Sequence, residues 1–320
     1  MTGYILRRVA SLLPLAVALS AFSFFLGQIA PGDPARALLS LQGGTPPTAE
    51  QVETFRAELG LDDPALVQYG RWARGALTGD LGRSFRTGQP VAGRLSQALP
   101  VTVSLALLSF VVVTVVGVSA GIGASLVEGR LADHALRVVS LAGASLPSFF
   151  VGYLLVLALA VRLGAFPTSG VSSASAYVLP AVTLALPSTA VVMRLTRAAM
   201  LDALADDSVR AARARGVPQR RIVLRHALRV ALNPIATYGG VALAGLLGGA
   251  VIVETVFAMP GLGKLVVDAI VDRDFPVVQG FVLLFGALVL VVNLVVDLLY
   301  GVLDPRVRVA AQHDGGAGGR

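Results

Sequence analysis

Long apolar runs broken by short charged connections make up most of the chain. Six of them reach or approach the roughly 20 residues that a helix needs to cross a hydrocarbon core of about 30 Å. They cover residues 9–30, 100–127, 135–161, 176–193, 231–253 and 277–303. The pattern predicts an all-α polytopic membrane protein with six transmembrane helices. The first run follows the basic "MTGYILRR", as a signal-peptide core would. Its length of about 22 residues outlasts the usual roughly 7–15, and five more spans follow, so it is read as a retained first helix.

Composition supports a bilayer as solvent: 55% of residues are apolar and 14% charged. The net charge of +7 raises the question of nucleic acid, but its distribution points to membrane topology. With both termini inside, the inner segments hold Arg7, Arg8, Arg130, Arg137, the arginines from Arg194 to Arg229, Arg306, Arg308 and Arg320. The short outer connections carry only Arg162, Lys264 and Arg273. The long outer loop 31–99 balances its arginines with acids, and loops of this length count little in the positive-inside rule. The expected topology is N-in, C-in.

That outer loop has its own pattern. "APGDPA" at 30–35 ends the first helix with two prolines, which cannot continue a backbone ladder. "GGTPPTAEQVETFRAELGLDDPALVQYGRWARGAL" then predicts an amphipathic helix from about Ala49, a stop at Gly60 and a second short helix. Leu59, Leu61, Val67, Tyr69 and Trp72 are expected to fold back on the membrane domain, and 79–91 reads as a glycine-rich connector. The loop is either a packed surface cap or a docking surface for an external partner.

Several chemistries are excluded. Without cysteine there is no disulfide framework or thiolate metal site. His134, His226 and His313 lie far apart and no HExxH spacing occurs. No Walker-type loop is present, and "GLGK" at 261–264 is only a fragment of one. No cofactor is expected on this chain.

The most basic stretch, "DSVRAARARGVPQRRIVLRHALRVALNP" at 207–234, lies between apolar spans. Asp207 or Ser208 can cap a helix N-terminus. Residues 209–215 supply about two turns, Gly216 suits the left-handed position beyond a helix end, and Pro218 suits the first turn of the next helix. The loop is therefore predicted as helix, glycine turn, helix, with the second helix lying at the membrane surface. Alanines in its first helix allow close approach, while arginines offer forked donors. The absence of aromatic residues argues against nucleic acid. What remains is a loop that only fixes topology, or one that docks a cytoplasmic protein.

These residues resemble the EAA loop of ABC-importer permeases of the dipeptide/oligopeptide type. "APGDPA", "GLDDPALVQYGRW", "GDLGRSFRTGQPV", "SLPSFFVGYLL", "LPAVTLALP", "RLTRAAMLDAL", "AGLLGGAVIVETVFAMPGLGKLVVDAI" and "NLVVDLLYGVLDPRVR" follow the family pattern in order. The resemblance implies the type I importer permease architecture in a prokaryotic cytoplasmic membrane. It also implies a non-enzymatic half-channel paired with a second homologous permease subunit, two cytoplasmic ATPase subunits and an extracytoplasmic substrate-binding protein. ATP and magnesium would sit on the ATPases. Its layout is 1–30 for the N-terminus and first helix, 31–98 for the outer loop, 99–305 for the permease core with a coupling loop at about 199–230, and 306–320 for a disordered tail. Arg210, Ala211 and Ala212 occupy the E-A-A places, Arg210 departing from the broad consensus glutamate, and Gly216 is the following glycine. The coupling residues expected on this resemblance are Ser208, Arg210, Ala211, Ala212, Arg213, Arg215, Gly216 and Arg220.

Glu254, Met259, Pro260 and Gly261 are pathway or gate candidates, since an ionisable group in a span is costly and often functional. Asp297 is expected to pair with an arginine near the inner end of the last span. The glycines of "AGLLGG" (Gly245, Gly248, Gly249) are expected to allow close helix packing. The alternative function is a solitary secondary transporter or channel, although the spans carry few relay residues.

Overall fold

The computed structural model describes residues 2–29, 33–43 and 47–303. The tail expected from residue 306 lies outside them. Thirteen α-helices occur among these residues, with no strand: α1 Thr2–Ile29, α2 Pro34–Gly43, α3 Ala49–Glu58, α4 Ala65–Leu77, α5 Val91–Leu126, α6 Leu131–Ser145, α7 Ser148–Leu155, α8 Val178–Ala205, α9 Asp207–Ala214, α10 Gln219–Arg221, α11 Leu228–Val256, α12 Leu262–Val271 and α13 Phe275–Leu303. Five helical stretches are long and apolar enough to cross a membrane, and α6 with α7 gives a sixth if the bent pair is one span. Large apolar side chains such as Leu13, Val115 and Val139 remain exposed, as suits contact with lipid chains.

The spans differ from the sequence expectation mostly at their ends. The third is not one helix: α6 and α7 meet at an angle of 106°. Pro147 has no N–H to donate, and Leu146 before it is pushed to extended backbone (φ −78°, ψ 133°). α7 then continues as a π-helix, Val156–Arg162. α8 runs to Ala205, past the apolar stretch that predicted it, because Arg194 to Ala205 has no helix breaker. The expected surface helix after Pro218 is instead the root of the fifth span. α10 passes through the π-helical turns Ile222–Ala227 into α11 without a break.

The chain forms two compact units. The first comprises 1–100 with 261 onward, and the second comprises 101–260. In the first, α1 packs along α13, where the Ser23 hydroxyl donates to the Gln279 carbonyl at 2.7 Å. Val91, Leu95, Leu262, Val266 and Val277 form its buried cluster. The outer loop folds onto α1 through Tyr69 and Trp72, whereas Val67, expected to fold back with them, stays exposed. Thr48 and Gln51 make a reciprocal capping box at the start of α3, and Gly60 turns the chain at φ +63°. On α4, the Tyr69 hydroxyl meets Ser20 Oγ at 2.7 Å, while Tyr69 and Trp72 set their rings against Phe24. α2 was not anticipated. Asp33 caps it by accepting from the Ala35 N–H, and Pro34 sits at its first position, so the proline that ends one helix starts the next.

In the second unit, Leu105, Val113, Leu184, Leu246, Val253 and Phe257 form a core between α5, α8 and α11. α5 and α8 approach closely at Gly117 and Gly121. A Cβ on Gly117 would lie 2.8 Å from Val192 Cγ1, and one on Gly121 would lie 2.7 Å from the Met193 carbonyl. This Gly-xxx-Gly spacing does what was expected of "AGLLGG". In the latter, Gly245 and Gly248 face open space, and only Gly249 is tight, against Leu184.

Candidate coupling element and buried charge clasps

α9 is a short helix with both ends defined. Its cap is Asp206, not the expected Asp207 or Ser208. Asp206 lies in extended backbone, and its carboxylate accepts from the Ser208 N–H at 2.8 Å. The Ser208 hydroxyl and then its backbone N–H hold the Asp206 carboxyl below the usual carboxylate range. At the other end the Gly216 N–H donates to the Arg213 carbonyl at 2.9 Å, and the Val217 N–H to the Ala212 carbonyl at 3.2 Å. That paired closure requires a left-handed residue, and Gly216 supplies it at φ +75°.

The faces of α9 follow from a spacing of three. Val209 and Ala212 point inward, packing on Ile222 at the root of the fifth span with Leu204 and Val217 around them. Ser208, Arg210, Ala211, Arg213 and Arg215 are exposed, as are Gly216 and Arg220. Arg210 pairs with Asp207 on this surface. Of the eight coupling candidates, Ala212 alone is buried, at 2% exposure. Its small side chain therefore seats α9 on its own protein.

The pathway candidates lie differently. Glu254 is fully buried, its carboxylate accepting from Thr102 Oγ1 at 2.6 Å. Met259 is also buried, and its N–H donates to the Glu254 carbonyl at 2.9 Å. The turn between them holds Ala258 at φ +49°, and the Gly170 N–H closes on the Phe257 carbonyl. Pro260 is exposed, and Gly261 caps α12. Glu254 and Met259 are thus joined by one turn and packed in protein.

Asp297 meets Arg8, whose Nε donates to its carboxylate at 2.6 Å, as expected of a paired acid in the last span. Two further acids were missed. Asp133, in the first turn of α6, accepts from Arg197 Nε and Nη2, both at 2.8 Å, and from the Gly129 N–H at 3.1 Å. Asp274, just before α13, accepts from Ser84 Oγ at 2.5 Å, the Phe85 N–H at 2.9 Å and Arg94 Nη1 at 3.2 Å. Both sit in short polar connections, where an aspartate reads as a helix cap. Only an arginine with the right reach on another helix, later for Asp133 and earlier for Asp274, could have signalled more.

Packed helices of membrane-spanning length, tied at their ends by buried carboxylates and carrying a capped basic helix between the fourth and fifth spans, define a polytopic α-helical membrane protein. The match to known families is specific. Residues 114–309 match the model of the binding-protein-dependent transport system inner membrane component, and residues 1–106 match the N-terminal model of the same systems. The chain belongs to this family. It is similar to the probable peptide ABC transporter permease protein y4tP of Sinorhizobium fredii (strain NBRC 101917 / NGR234), with 40% identity over 313 residues, 95% of this chain and 99% of that protein. It is also similar to the glutathione transport system permease protein GsiC of Escherichia coli (strain K12), with 38% identity over 308 residues, 96% of this chain and 99% of that one. The inward-facing MetNI methionine ABC transporter shares the fold at a TM-score of 0.56 and 19% identity, covering 66% of this chain and 96% of that chain.

Proposed function

We propose that this chain forms one half of the pathway of an ATP-driven importer for di- or oligopeptides or a related small solute, and that α9 docks on a cytoplasmic ATPase subunit. The observation that carries the reading is the construction of α9. A helix capped by Asp206, closed at Gly216 and seated through Val209 and Ala212 on the root of the fifth span moves with that span. Pressure on its outer face then reaches α11 as a rigid-body displacement. The names of the similar proteins support a peptide or a peptide-like solute.

On this reading the exposed Ser208, Arg210, Ala211, Arg213, Arg215, Gly216 and Arg220 face the ATPase. ATP and magnesium stay on two such subunits, and a second homologous permease completes the pathway. An external binding protein delivers the solute, and both chain ends lie inside. The turn from Glu254 to Gly261 acts as an outer gate support, with Glu254 holding its geometry through Thr102.

The test is uptake of a labelled peptide by proteoliposomes holding the assembled importer. Uptake should require ATP and the binding protein, and Ala211→Trp on the exposed face should uncouple ATP hydrolysis from uptake while the complex still inserts. Peptide uptake by this chain alone, without ATP, would establish the solitary-carrier reading instead.

A further inference from the structure

A cavity of about 820 Å³ lies within the first unit, ringed by the end of α1, the outer cap and the start of α13. Its volume falls in the range of small-ligand sites, roughly 300–1,000 Å³. Trp72 and Phe85 give it aromatic surface, and both are only partly buried. Most charges around it are already matched. Arg71 binds Asp63 at 2.5 Å, Arg86 binds Asp272, and Asp33 binds Arg56 at 3.2 Å.

Three charged groups on the wall are left. Arg83 donates to the Gly88 carbonyl at 3.0 Å, and Asp80 accepts from the Gly82 N–H at 2.9 Å, so neither has a counter-charge among the described residues. Arg273 is exposed and makes no side-chain hydrogen bond or ion pair among them. Its backbone is left-handed at φ +57° because it closes α12, its N–H donating to the Ile270 carbonyl at 3.2 Å and the Asp274 N–H to the Ala269 carbonyl at 2.8 Å, a position where glycine would be unstrained. The turn itself would be served better by glycine, so an arginine without a partner there, at the wall of an aromatic-lined cavity, suits a residue kept for a ligand.

We propose that this cavity is an entry site for a short zwitterionic peptide. Arg273 and Arg83 receive the C-terminal carboxylate, Asp80 receives the ammonium, and an apolar side chain lies against Trp72 and Phe85. Two cations against one anion favour the carboxylate as the anchoring end, and guanidinium groups match it in bidentate geometry. A simple inorganic anion would leave the aromatic surface unused and would face Asp80. The inference rests on the peptide-importer reading and places an early stop for the solute on the permease itself.

Trp72 is the only tryptophan of the chain, so its emission reports on the cavity. The full-length chain in lipid nanodiscs is titrated with alanyl-phenylalanyl-alanine, with the same peptide amidated at its C-terminus, and with the external binding protein. The free peptide should change the emission saturably, and C-amidation should weaken binding at least tenfold. Arg273→Gly should weaken it similarly while leaving thermal stability unchanged or higher, because glycine relieves the left-handed strain. Equal affinity for the amidated peptide, undiminished binding by Arg273→Gly, or a response to the binding protein alone overturns the proposal. Uptake by the assembled importer without peptide binding here overturns this inference and leaves the transport reading standing. Binding here without uptake does the reverse.

Discussion

Asp133 and Asp274 are buried almost equally, at 0% and 1% exposure, and each ties a connection to a distant part of its own unit. Their partners differ in kind. Asp133 is held by a full guanidinium fork from Arg197, with one backbone N–H beside it. Asp274 is held chiefly by a hydroxyl and a backbone N–H, with Arg94 at the longer distance of 3.2 Å. The first carboxylate depends chiefly on one cation, with Arg137 Nε farther off at 3.7 Å, and the second is solvated mainly by fixed dipoles. In a chain with 14% charged residues, acids placed at helix starts fasten the fold where hydrocarbon burial cannot.

Removing the carboxylate should therefore cost most at Asp133. Asp133→Ala leaves the Arg197 cation without its buried counter-charge, and the melting temperature of the purified chain should fall by about 10 °C. The double variant Asp133→Leu with Arg197→Met should recover most of that fall. A double variant no better than the single one would break the comparison.

Asp274→Asn keeps an acceptor for Ser84 or Phe85 and loses only charge. Its expected cost is about 1–3 kcal/mol, below that of Asp133→Asn in the same unfolding assay. Equal costs would mean that Arg94 matters as much to Asp274 as Arg197 does to Asp133.

Asp206 provides an exposed carboxylate held only by local donors. Its folded pKa is lowered, so its contribution is present above the unfolded value and is lost as pH falls through the folded one. The protection of α9 amides, corrected for intrinsic exchange, should fall several-fold below about pH 4, and Asp206→Ala should show the lower protection at neutral pH with no further fall on acidification. Arg8→Gln should have the smallest effect, about 1 kcal/mol or less, because the Arg8 side chain is 45% exposed.

What the sequence carried and what it did not follow from these particulars. Apolar length placed five crossing segments and the bent pair α6 and α7, since a bilayer imposes that length locally. The start of α3 near Ala49 and the Gly60 and Gly216 turns were legible because each is set by its own neighbours. The break at Leu146–Pro147 was hidden by apolar residues on both sides, which satisfied the length criterion as one span. The inward side of Ala212 was hidden because its partner, Ile222, lies across a turn. Asp133, Asp274 and the Gly117–Gly121 approach depend on contacts 64, 190 and about 75 residues away in sequence, and a single chain read in order does not show which residue will answer.

The close seat of α8 on α5 has a mechanical consequence. With no Cβ at Gly117 or Gly121, the helices mesh like a keyed shaft, and sliding one along the other would drive Val192 and Thr196 into the α5 backbone. α8 leads at its inner end directly into Asp206 and α9, while α5 is the one helix whose residues belong to both compact units. If α9 docks on an ATPase as proposed, a torque delivered there would have two shafts to turn, the fifth span through Ile222 and α5 through α8, with no slipping clutch between α8 and α5.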